Sequence, residues 1–150
     1  MWKEKLNEIV QEKQLYGEKT NNGASKDETK SFNKKVKKEL GGFLPKAYMD
    51  ILEIVNGIEF NGIILYGIDE NEMGEVPNQP IHGLLKYNKI WYENEWQRKY
   101  IFLGEGNISW YVYDKHRNKY FELDNPSGSE SKEFTHFEDM FENLLSDASL

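Results

Sequence analysis

The sequence predicts an α+β fold: a single domain with helices against one side of an antiparallel sheet. Three observations predict it. Apolar residues in the first 55 positions recur at helical spacing, and the period shortens abruptly from Ile58. A second block of short alternating segments spans Tyr100 to Leu123, and the chain then returns to helical spacing. At 150 residues the chain is one domain in size, with enough length to bury a sizeable core.

Residues 2–15 place Trp2, Leu6, Ile9, Val10 and Lys13 at helical intervals, and Asn21-Asn22-Gly23 breaks the pattern. Ser25 to Glu28 has the form of a capping box and opens a second helix, with Phe32, Val36 and Leu40 inward and Gly41-Gly42 as its stop. Leu44-Pro45 opens a third, proline at the first helical position losing no hydrogen bond. Its buried stripe is Tyr48, Ile51, Leu52 and Val55, closed by Asn56-Gly57.

Strands follow at Ile58–Phe60 and Ile63–Tyr66, around an Asn61-Gly62 pair that suits a two-residue hairpin turn. Residues 69–80 read as a loop from their glycine, proline and carboxylate content. Leu84 to Trp96 reads as a helix, then Tyr100–Leu103, Ile108–Tyr113 and Tyr120–Leu123 as strands. Gly104-Glu105-Gly106 reads as a turn between strands, and residues 125–132 as a polar surface loop. Thr135 to Glu138 repeats the capping-box form ahead of a last helix, with Phe137, Met140 or Phe141, and Leu144 inward.

Charged residues make up 30% and aromatic residues 14%, a polar surface combined with a substantial core. No run approaches the roughly 20 apolar residues of a spanning helix, and the N-terminus has no signal-peptide core, so a cytoplasmic location with no membrane partner is expected. The absence of cysteine excludes disulfides, thiolate metal sites and a cysteine nucleophile. The net charge of −7 is uneven: residues 1–40 carry +3 and the remainder −10. An acidic body of this kind repels nucleic acid and favours a basic partner. The basic run at Lys34-Lys35 and Lys37-Lys38 reads as a solvated helix face.

Signatures of catalysis are missing. The chain holds no Gly-x-Ser-x-Gly, no Ser-x-x-Lys and no phosphate-cradling Gly-x-x-x-x-Gly-Lys, so no catalytic residue and no cofactor is expected. His136 and Asp139 are three apart, but His82 and His116 lie in distant segments, and no metal site is expected.

The aromatic residues carry more information. Trp91, Tyr92 and Trp96 crowd one segment, while Tyr111 and Tyr113 share the sheet face opposite Trp110. Packing accounts for about half of these rings, and the surplus has the composition of a protein interface. With the acidic loop of Asp69, Glu70, Glu72 and Glu75, they form the candidate partner-binding set.

Leu44-Pro45-Lys46-Ala47-Tyr48, Ile54-Val55-Asn56-Gly57, Glu59-Phe60-Asn61-Gly62 and Leu65-Tyr66-Gly67 together resemble the opening motif of the SUKH superfamily, which includes fungal cell-wall assembly regulators and bacterial immunity proteins. Leu103-Gly104, Trp110 to Asp114 and Lys119-Tyr120-Phe121 resemble its second strand block, and Phe134 to Phe141 its closing helix. The resemblance spans about residues 40–146 and leaves the Lys-rich N-terminal segment outside. It implies a curved antiparallel sheet flanked by helices and a binding role without catalysis. An immunity protein that neutralises a basic toxin domain by direct binding is the first functional expectation. A regulatory adaptor for a cellular protein is the second, and a small-molecule-binding protein using an aromatic pocket the third.

Overall fold

A computed structural model of the chain describes residues 1–148. Five α-helices lie among them: α1 (Trp2–Leu15), α2 (Lys26–Leu40), α3 (Lys46–Leu52), α4 (Leu84–Trp91) and α5 (Phe137–Ser146). Six strands, β1 (Ile58–Phe60), β2 (Ile63–Leu65), β3 (Tyr100–Glu105), β4 (Ser109–Asp114), β5 (Lys119–Asp124) and β6 (Glu130–Phe134), form one antiparallel sheet in chain order. The fold is α+β, as the periods predict.

The first half forms for local reasons. Ser25 caps α2 by accepting from the Glu28 amide at 3.1 Å while the Glu28 carboxylate accepts from the Ser25 amide at 2.9 Å. Gly41 ends that helix in the left-handed conformation, φ +82°. Asn61 and Gly62 both take positive φ, +46° and +86°, the pairing a primed hairpin turn requires. Pro45 precedes the first residue of α3, one position earlier than the sequence suggests.

The sheet has helices on both faces, where the sequence predicts them on one. Trp91 of α4 packs against Phe102 and Trp110, ring centres 6.2 and 5.4 Å apart. On the other face Phe137 of α5 meets Tyr120 at 5.9 Å, Tyr48 of α3 at 5.8 Å and Phe141 at 5.5 Å. Behind α5 lies α1, with Trp2 against Phe141. Each helix contributes one apolar stripe, and the alternation of β4 serves both layers at once.

The excursion between β2 and β3 solves an edge problem. β2 pairs only with the far end of β3, opposite Gly104 and Glu105, leaving the start of β3 open. Asn88 of α4 fills the place of a strand: its Oδ1 accepts from Phe102 N at 2.7 Å and its Nδ2 donates to Phe102 O at 2.9 Å. The Tyr92 hydroxyl donates to Tyr100 O in the same way.

Four further boundaries differ from the sequence reading. α4 stops at Trp91, because Arg98 Nε turns back to donate to Tyr92 O at 2.9 Å, and a 3₁₀ turn follows at Glu95–Lys99. Gly104 and Glu105 belong to β3, where glycine lets the backbone of β2 approach closely at Ile64 O. Residues 130–134 are a strand; their alternation is invisible because four of the five are exposed on both faces. α5 is preceded by His136, and no side chain caps it.

Candidate functional site

Trp96 is the exposed ring of the aromatic segment, 43% accessible on the 3₁₀ turn between α4 and β3. Its six-membered ring lies on Gly128 in the β5–β6 turn, where φ is +79° and a Cβ would overlap the indole. Glycine therefore meets two demands at this position, the left-handed backbone and the close approach of the ring.

β6 follows directly, the last strand of the sheet, with its outer edge unpaired among the described residues. Three of its five side chains, Glu130, Lys132 and Glu133, are charged and exposed. Charges on an edge discourage indiscriminate strand pairing while leaving the backbone available to a matched partner.

The base of this surface is fixed by an ionic network. Arg117 donates through Nε to Asp114 Oδ2 at 2.8 Å and through Nη2 to Glu130 Oε2, and its guanidinium stacks on Phe121 at 4.1 Å. The Tyr100 hydroxyl adds a bond to Glu130 Oε2 at 2.6 Å. The Arg117 guanidinium holds the Glu130 carboxyl below its ordinary range, against a smaller opposing effect of burial. For Asp114 burial is the largest single effect and pushes upward, but the amides of Arg117 and His116 and the guanidinium together outweigh it and leave the carboxyl lowered.

The structure distributes the sequence-predicted residues over several environments. Asp69 is buried, and its two carboxylate oxygens accept from the amides of Leu85 and Lys86, each at 3.0 Å. It caps α4, whose own preceding residue is Gly83, and it is withdrawn from any contact surface. Glu72 is half-buried and accepts from Lys35 of α2, while Glu70 and Glu75 remain exposed. Trp91 is half-buried, donating to the Tyr66 hydroxyl at 3.0 Å, and Tyr66 in turn donates to Glu105. Tyr92 is half-buried beneath the Lys115 ammonium, 5.1 Å from the ring centre.

Tyr111 is wholly buried, its hydroxyl donating to Asp147 Oδ2 at 2.7 Å and accepting from Asn143 Nδ2 at 2.9 Å. Tyr113, on the same face, is half-buried against Tyr120. The Tyr111 ring is thus withdrawn from the surface in this structure. Trp96 sits with the β5–β6 turn and Glu72 with α2, so the acidic loop and the exposed ring are held by different parts of the molecule. Among the described residues, no three His, Asp or Glu side chains converge as metal ligands.

Arg117, Gly128 and Glu130 were not among the residues singled out by sequence. The signal for Gly128 was present in the turn-forming run Asn125-Pro126-Ser127-Gly128; the ring that needs it is 32 positions away in the chain.

An exposed indole fixed against a turn and an edge strand unpaired among the described residues thus stand on an α+β domain with helices on both faces of its sheet. The chain belongs to the SMI1 / KNR4 family (SUKH-1), whose model matches residues 23–143. The match reaches back through α2 and leaves α1 outside. The comparison with curated proteins gives no match. Among the described residues no helix is long and apolar enough to cross a membrane.

Proposed function

We propose that this chain is a cytoplasmic protein-binding module that neutralises a cognate bacterial toxin by direct contact and without catalysis of its own. The observation that carries the reading is Trp96: a large aromatic ring 43% exposed, braced by Gly128 and set beside an unpaired edge strand. Rigid aromatic anchors surrounded by polar groups are what binding hot spots are made of. The net charge of −7 complements a basic toxin domain and accelerates encounter with it. Glu70 and Glu75, exposed on their own loop, contribute to that field.

The test is affinity capture with the full chain from its source cells, then binding kinetics with the recovered protein. A basic domain that arrests growth when expressed alone, and ceases to do so when this chain is co-expressed, is the expected result. Trp96→Ala is expected to raise the dissociation rate and cost about 2 kcal/mol or more. Recovery of a non-toxic cellular protein would replace the toxin reading with an adaptor role.

A further inference from the structure

A second surface, unrelated to Trp96, lies between α2 and α3. It is a groove of about 780 Å³ lined by Lys26, Lys30 and Lys34 from α2, by Phe43, and by Lys46 and Met49 from α3. The three lysines stand at i, i+4 and i+8, so each lies one helical turn from the next. Like charges at that spacing destabilise a helix.

None of the three has a carboxylate within 4 Å among the described residues. Lys35, on the opposite flank of the same helix, shows the contrast: it is paired with both Glu39 and Glu72. Lys46 is already paired with Asp50, 3.1 Å away. Phe43 is 55% exposed at the end of the lysine row, with the Lys37 ammonium 5.4 Å from its ring centre.

We infer that this groove receives an acidic amphipathic helix from a second protein, distinct from the basic partner proposed above. Charge complementarity selects the occupant. Three unpaired ammonium groups spaced by one turn match carboxylates spaced by one turn, and the row from Lys26 to Lys34 covers about 12 Å of helix. Phe43 and Met49 supply an apolar seat for one side chain of the same helix, the arrangement of helix-in-groove recognition.

A polyphosphate fits less well, because it has no apolar side chain to set against Phe43 and Met49 in the same groove.

The probe is a synthetic amphipathic peptide of about four turns with Glu at i, i+4 and i+8 and Leu on the adjoining face. Its binding to the full chain is followed by fluorescence polarisation at low and high salt. The expected result is saturable binding that weakens with salt and falls about tenfold or more in Lys30→Glu/Lys34→Glu and in Phe43→Ala. A peptide with Lys in place of Glu is expected not to bind.

No binding, or binding indifferent to both variants, overturns the inference. A single-stranded oligothymidine that binds as tightly through the same lysines overturns it in favour of nucleic acid. Self-association abolished by Lys30→Glu/Lys34→Glu, read by sedimentation, overturns it in favour of a second copy. Should the double variant fail to fold in thermal melts, Phe43→Ala, at an exposed position, decides alone.

Discussion

The indole of Trp96 rests on Gly128, across a gap of 32 residues in the chain and with no room for a Cβ between them. Gly128→Ala is therefore expected to displace the ring and, because φ is +79°, to strain the turn by about 1 kcal/mol or more. Tryptophan emission should shift in the variant, and the shift should vanish in a Trp96→Phe background. An unchanged spectrum would place the ring elsewhere.

The hairpin at Asn61-Gly62 gives a second outcome. Gly62 has φ +86° and faces the Asn107 side chain, so Gly62→Val meets both a disfavoured backbone and a neighbour. A loss of about 1–3 kcal/mol in stability is expected from thermal melts. Parent-like melting would contradict the turn geometry.

Asp69 caps α4 from outside the helix, its oxygens on the amides of Leu85 and Lys86. Asp69→Ala should cost about 1–2 kcal/mol in urea unfolding, with an unchanged slope. Asp69→Asn keeps one acceptor oxygen and should lose less. Equal losses would mean that charge, and not the cap, is what matters.

Acid should weaken the fold through the Arg117 network. Glu130 and Asp114 have carboxyl groups lowered from ordinary values of 4.5 and 3.8. Their contribution is complete above those values and is lost as pH falls through the lower folded-state values. Stability measured by denaturant titration should thus fall below about pH 4, and Arg117→Leu should flatten that limb while lowering stability at neutral pH. An acid limb of the same steepness in the variant would exclude the network as its source.

Helices α1 to α3 were legible because each buries one stripe, which leaves a clean period. The Asn61-Gly62 turn was legible because few residue pairs accept positive φ twice. β6 was not, since a strand exposed on both faces has no apolar alternation to read. The end of α4 was hidden because Leu84, Tyr87, Ile90 or Trp91 and Asn94 keep a helical spacing past Trp91, where the helix ends and a 3₁₀ turn takes over at Glu95–Lys99.

The candidate site divides along similar lines. Trp96 stood out as a surplus aromatic and is exposed, but Tyr111 could not be told from it, because the alternation of β4 gives no sign that both faces are covered. Asp69 looked like part of an acidic loop because the amides it serves lie 16 and 17 residues further on.

Asn88 stands where a continuation of β2 would, and this changes how the sheet breathes. An amide proton within a ladder exchanges with solvent when neighbouring rungs separate together. The proton on Phe102 N is released instead by withdrawal of one side chain carried by α4. Its exchange rate is therefore expected to time the withdrawal of α4, while the amides linking β4 to β5 time the loss of the sheet itself. A partner that grips α4 is then expected to slow the first without touching the second.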